Sequence, residues 1–134
     1  MPRDRVDAAK RAVDAFNRRD VGGMFAELVT PDVEWWPAVA GVYEGGSYQG
    51  RERIEGFVAA ISEVWEEVQV IAEEFRDLGD RVLVLGRQVG RGKGSGAQVD
   101  APLATICDFR GNRIWRARGY IDRAEGLRVA GVSE

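Results

Sequence analysis

Apolar side chains recur with helical spacing at the start of the chain. Val6, Ala9, Ala12, Val13 and Phe16 share one face of a helix over residues 4–19. Arg18 and Arg19 near its end suit the negative pole of the helix dipole. Asp20 is placed to cap a second, short helix with Met24, Phe25 and Leu28 on its apolar side. Thr30-Pro31-Asp32 stops it, and Val33-Glu34-Trp35-Trp36 reads as a first strand. Residues 37–50, rich in Gly and Tyr, read as an irregular loop or a loose hairpin over an entrance. Helical spacing returns from Arg51 to about Glu67. Ile54, Phe57, Val58, Ile61 and Trp65 fall on one face, and Glu52, Arg53 and Glu63 lie off it.

From there the period is two. Strands are predicted near 68–77, 81–91, 97–110 and 112–121, with tight-turn signals at Leu78-Gly79-Asp80-Arg81 and Arg110-Gly111-Asn112-Arg113. Asp122 and Glu125 have capping-box spacing, and Leu127, Val129 and Ala130 continue into a short final helix stopped by Gly131. No repeat, linker or composition break divides the chain, so 1–134 is expected to be one domain. Helix, helix, strand, helix and then an antiparallel meander predict an α+β layer architecture with the helices gathered on one side of the sheet.

Alternation sorts the strand faces. Val99, Ala101, Leu103, Thr105, Cys107 and Phe109 should line the interior, with Asp100, Ala104, Asp108 and Arg110 turned away. On the last strand Trp115, Ala117, Gly119 and Ile121 share the inward, apolar face, and Arg116, Arg118, Tyr120 and Asp122 the other.

Composition narrows the chemistry. A net charge of −3 argues against a nucleic-acid binder, which would show a basic face. Cys107 is the lone cysteine, so no intramolecular disulfide is possible. The charged segment Arg3-Asp4-Arg5 stands where a signal peptide needs its apolar stretch, and no apolar run is long enough to span a bilayer. A cytoplasmic protein that engages no membrane is expected. The chain has no histidine, which removes a His general base, Ser-His or Cys-His nucleophile pairs and most zinc sites. Neither a metal nor another cofactor is expected, and acid–base work would fall to carboxylates, tyrosine, lysine or the thiol.

Four groups of residues carry a resemblance. They are Ala15-Phe16-Asn17-Arg18-Arg19-Asp20, Pro31-Asp32-Val33-Glu34-Trp35, Tyr48-Gln49-Gly50-Arg51-Glu52-Arg53-Ile54, and Gly111-Asn112-Arg113-Ile114 through Tyr120-Ile121-Asp122-Arg123-Ala124-Glu125. In this order they resemble the nuclear-transport-factor-2-like superfamily and, within it, the SnoaL-like polyketide cyclase branch. The resemblance implies a cone-shaped, curved antiparallel sheet with helices packed on its concave side around an apolar pocket, and a homodimer formed through the open face of the sheet. Arg116 and Arg118 would then meet carboxylates of the partner or solvent. It does not imply one reaction, because folds of this kind host isomerases, cyclases, hydrolases and proteins without catalysis. Ketosteroid isomerases use an Asp base, a Tyr and a protonated Asp. The matching positions here are Trp35 or Trp36, Ala12 and Thr105. The Arg and two Asp of limonene epoxide hydrolases fall near Leu103, Thr105 and Gly119. Neither catalytic set is present.

The expected pocket is apolar. Trp35, Trp36, Trp65 and Trp115 either face a large flat ligand or fill a core, as aromatic residues generally do. Phe57 and Ile61 from the third helix, Leu103, Thr105 and Cys107 from the sheet, and Gly119 complete the candidate ligand-binding set. Tyr43 and Tyr48 in the entrance loop could donate to a carbonyl or phenolate oxygen or simply pack there. Asp100, Glu34 and Glu44 are carboxylates near the mouth, and ordinary solvated surface is their alternative reading. Arg87 suits a cross-strand ion pair. Cys107, buried without a basic neighbour, should be inert. Gly90-Arg91-Gly92-Lys93-Gly94-Ser95-Gly96 leads into a strand rather than a helix, so it is a hairpin and not a phosphate loop.

The sequence thus predicts binding of a small, mostly apolar, aromatic or polyketide-like molecule. Any chemistry would be metal-free proton transfer beside a carbonyl, with Tyr43 or Tyr48 polarising the oxygen and Asp100 moving the proton. The alternative is a non-catalytic carrier or dimerising scaffold of the same fold.

Overall fold

The computed structural model describes residues 2–38, 46–94 and 96–132. Its elements run α1 (Pro2–Asn17), α2 (Val21–Glu27), β1 (Val29–Trp36), β2 (Tyr48–Gln49), α3 (Arg51–Val64), β3 (Trp65–Asp77), β4 (Arg81–Gly92), β5 (Gln98–Arg110), β6 (Arg113–Tyr120) and α4 (Arg123–Ala130). The six strands form one curved, unclosed sheet in the order β2-β1-β6-β5-β4-β3. All neighbours are antiparallel except β1 and β6, which run parallel.

Local chemistry sets the boundaries. The Asp20 carboxylate accepts from the Gly23 N–H and starts α2. Asp122 accepts from the Ala124 and Glu125 N–H groups at the head of α4, and Gly131, at φ +80°, ends that helix in the left-handed conformation its sequence position requires. Three boundaries differ from the sequence reading, the first being that of α3, which stops at Val64 so that Trp65, expected on its apolar face, opens β3 instead. β1 begins at Val29, through Pro31, because its pairing with β6 is irregular between Val29 and Glu34 and leaves room for a residue without an N–H. Tyr48 and Gln49 leave the expected loop to form β2, opposite Trp35 and Glu34.

The sheet bends at bulges. β3 and β4 slip register between Ala72 and Glu74, opposite Gly86. A Cβ at Gly86 would stand 1.9 Å from the Ile71 carbonyl oxygen, so only glycine permits this approach.

The helices α1, α2 and α3 cover the inner face of the sheet. Ala8, Ala9, Ile54 and Val58 pack there with Val82, Val84, Cys107 and Ile114. Each well-buried Val or Ile among them contributes roughly 2 kcal/mol. The fourth helix takes the opposite face: Leu127 and Ala130 of α4 seal Leu83, Leu85, Ala104 and Ile106. Gly126 makes this possible, since a Cβ there would lie 2.5 Å from the Ala104 Cβ. Not every helix is therefore on the concave side, and the middle of the outer face is already covered by the chain itself. Among the described residues no helix is long and apolar enough to cross a membrane.

Candidate functional site: an apolar cavity between helices and sheet

The cavity grows out of strand parity. On β5 the inward side chains Leu103, Thr105 and Cys107 form its floor, beside Val84 and Gln88 of β4 and Ala117 and Gly119 of β6. Ala12, Val13 and Phe16 of α1 form one wall, and Met24 and Phe25 of α2 another. Trp35 closes a side, and Pro37 and Ala38 stand at the rim. The cavity is open on one side and its volume is about 150 Å³, close to that of cavities known to admit a benzene ring. A single ring fits this volume.

Trp35 is held by neighbours on two helices. Its ring meets Phe16 edge-on at 5.7 Å and Phe57 edge-on at 5.0 Å. Tyr48 lies against Phe57 at 4.6 Å. Such aromatic pairs are worth about 1 kcal/mol each beyond their area. The row fixes the Trp35 face that the cavity uses.

The electrostatics are as plain as the lining. Among the described residues, Cys107 is the one ionisable side chain in the cavity wall. Burial, reinforced by the charge of Asp108, pushes its thiol up to about 12. It is therefore a protonated, unreactive group at neutral pH. The remaining polar side chains of the wall are Thr105 with its hydroxyl, Gln88 with its amide and Trp35 with its indole N–H.

Of the residues singled out from sequence, Trp35, Leu103, Thr105, Cys107 and Gly119 line this cavity. Phe57 and Ile61 are buried behind the aromatic row, in a cluster with Phe16 and Val68. Trp36 is 41% exposed on the opposite side of β1, with its indole N–H donating to the Glu34 carboxylate. Trp65 ends α3 and borders a shallow outer depression with Asn17, Arg19 and Lys93. Trp115 does not follow the expected alternation. A bulge pairs Phe109 with Ile114 and Asp108 with Arg116, leaving Trp115 as the extra residue. Ile114 takes its place inside, and the Trp115 ring lies beneath Arg110 at 5.0 Å and Arg116 at 4.6 Å. Ile121 is exposed as well.

Of the three catalytic candidates, neither Asp100 nor Tyr48 stands in the cavity wall. Asp100 points to the outer face, where Arg87 Nη1 donates to both its carboxylate oxygens at 3.0 and 2.8 Å. Both partners are well exposed, so this pair contributes little. Tyr48 packs on Phe57 rather than in the cavity wall. Tyr43 and Glu44 lie outside the described residues. Gln88 was passed over by the sequence reading. Its signal was available: it continues the inward parity of Val82 and Val84 and is the polar member of that run.

A curved sheet wrapped with helices around an apolar cavity defines the α+β cone class of folds. The chain belongs to the SnoaL-like domain family, whose model matches residues 9–117, within the nuclear-transport-factor-2-like superfamily. It is similar to an NTF2-like protein of unknown function from Burkholderia pseudomallei K96243, with 26% identity, 93% of this chain and 95% of that chain covered, and a TM-score of 0.76. It is also similar to TerC, co-crystallised with polyporic acid, at 25% identity over 96% of this chain and 98% of that one, with a TM-score of 0.75. A putative SnoaL-like polyketide cyclase from Jannaschia sp. CCS1 shares the fold at 20% identity, with 98% and 94% coverage and a TM-score of 0.74. No curated protein matches the sequence.

Proposed function

We propose that the chain binds a small, mostly apolar molecule of about one ring in this cavity, and that it acts as a binding protein rather than through chemistry of the cavity wall. One observation carries this reading. The wall that the described residues build offers apolar surface and four side chains with neutral polar groups, Cys107, Thr105, Gln88 and Trp35, none of which exchanges a proton near neutral pH. Of the positions at which the resemblance puts catalytic groups, Ala12, Leu103, Thr105, Gly119 and Trp35, though not its alternative Trp36, line the cavity, and all hold apolar or neutral residues. TerC, a relative of the same fold co-crystallised with polyporic acid, supports ligand binding in general and not the one-ring size.

Proton-transfer catalysis is the second reading. Tyr43 and Glu44 favour it, because they follow within a few residues of Ala38 at the rim. A homodimer through the sheet would have to use the outer strip that α4 leaves open, where Ile71 is exposed beside the Arg87–Asp100 pair.

Titration calorimetry with toluene, phenol and cyclohexanone against anthracene tests the proposal. Saturable binding of the one-ring compounds and none of the three-ring compound is expected. Absence of binding for every one-ring compound would overturn it. Loss of any observed turnover in Tyr43→Phe would shift the assignment to the enzyme reading.

A further inference from the structure

Gln88 stands on the inner face of β4, in line with Val82, Val84 and Gly86, and only 6% of it is exposed. A polar side chain so deep in an apolar wall must meet partners or destabilise the fold. One end is accounted for. Nε2 donates to the carbonyl oxygen of Ala38, which ties β4 to the segment leaving β1. That segment crosses over Gly119, where a Cβ would come within 3.0 Å of Ala38.

The bond to Ala38 also settles the amide's orientation. A carbonyl accepts only from the NH2 end, so the oxygen Oε1 must be the other arm. Among the described residues no hydrogen bond reaches Oε1. It is not sealed in either, since among the described residues the sealed and unpartnered side-chain atoms are those of Thr30, Trp65 and Arg118. Gln88 lines the cavity, where an oxygen without a partner among the described residues is placed to meet a bound molecule.

We propose that Gln88 is the specificity-determining residue of the cavity: its Oε1 selects a neutral, one-ring molecule that carries a hydrogen-bond donor, such as a phenol or a cyclic alcohol. This rests on the cavity being a binding site. A purely apolar ligand strips water from Oε1 and leaves a buried acceptor unmet, whereas a ligand O–H satisfies it. A ligand anion would find no cation in the described wall and would face the same acceptor. Thr105 lines the same floor and its hydroxyl both donates and accepts, so it supports a ligand O–H without discriminating against other groups.

The test is calorimetry on the full chain and its Gln88→Met variant with phenol, toluene and benzaldehyde. Phenol and toluene have nearly the same shape, and comparing their affinity ratio between the two chains cancels their different hydration. The ratio of phenol to toluene affinity should fall about five- to tenfold in Gln88→Met. A role limited to latching Ala38 would weaken both ligands alike and leave the ratio unchanged. That outcome, with toluene still binding, overturns the inference and leaves the binding proposal standing. A ratio of benzaldehyde to toluene that falls more than the phenol ratio also overturns it, because a donor would then face the ligand. If no ligand binds either chain, both proposals fail. Should Gln88→Met not fold, the unmutated chain still decides. The Gln88 side-chain carbonyl carbon should shift in NMR spectra with phenol and not with toluene, and equal shifts refute the role.

Discussion

Arg116 donates from Nε to Oδ2 of Asp108 at 2.9 Å, across the antiparallel pair formed by β5 and β6. Arg118 Nη2 reaches the same oxygen at 3.2 Å, and Arg81 Nε stands 3.8 Å from Oδ1. The Asp108 side chain is only 8% exposed. One nearly buried carboxylate thus gathers three guanidinium groups from β4 and β6 on the outer face of the sheet. Sequence reasoning assigned Arg116 and Arg118 to carboxylates of a partner or to solvent. The structure gives them an internal counter-ion, and Arg116 also lies over the Trp115 ring at 4.6 Å.

Removing that carboxylate should be costly. Asp108→Asn leaves three partly exposed cations crowded around a neutral group. Breaking a buried pair from one side costs on the order of 3 kcal/mol. Urea denaturation should show a loss of that size, partly recovered in 1 M salt, which shortens the reach of the repulsion. A loss below about 1 kcal/mol would mean that the arginines turn to water without penalty.

What the sequence could disclose followed from local periodicity. The spacing of Val6, Ala9, Val13 and Phe16 located α1, and the parity of Leu103, Thr105 and Cys107 on β5 placed three cavity residues correctly. The aspartate caps of α2 and α4 were equally visible, because a cap and its helix are neighbours in the chain. Trp115 was not, because a bulge depends on how β6 meets β5 and shifts every inference from simple alternation. The placement of α4 on the outer face was hidden for a similar reason: its short apolar side fits either face until Gly126 is seen against Ala104. Gln88 was legible as an inward polar residue, but its partner Ala38 lies 50 positions away.

Asn17 is a second long-range contact of this kind, and it invites a test. Its Nδ2 donates to the Val70 carbonyl at 3.0 Å and its Oδ1 accepts from the Val70 N–H at 2.8 Å. β3 is an edge strand, so Asn17 occupies backbone groups that would otherwise be open to pairing with another chain. Asn17→Leu has similar bulk and neither polar arm. It should cost about 2 kcal/mol by leaving both Val70 groups unmet. Amide exchange at Val70 should quicken by at least about tenfold. Unchanged protection at that amide would show that another group takes over.

Cys107 supplies a pH dependence whose sign follows from its surroundings. The thiol titrates near 9 when free and is pushed up to about 12 in the folded chain, chiefly by burial and then by the Asp108 charge. Below pH 9 the thiol is protonated in both states and contributes no slope. Between about 9 and 12 the unfolded chain releases the proton and the folded chain keeps it, so the unfolded state binds fewer protons and stability falls as pH rises. The slope from this one group is on the order of 1 kcal/mol per pH unit. Urea unfolding of the unmutated chain and of Cys107→Ala, each at pH 8, 9, 10 and 11, isolates it, since the other titrating groups are common to both. The two stability curves should run parallel up to pH 9 and then converge, with the unmutated chain falling faster. Curves that stay parallel to pH 11 would mean that the thiolate is tolerated in the cavity wall, and Cys107 would then have to be counted among the groups able to react there.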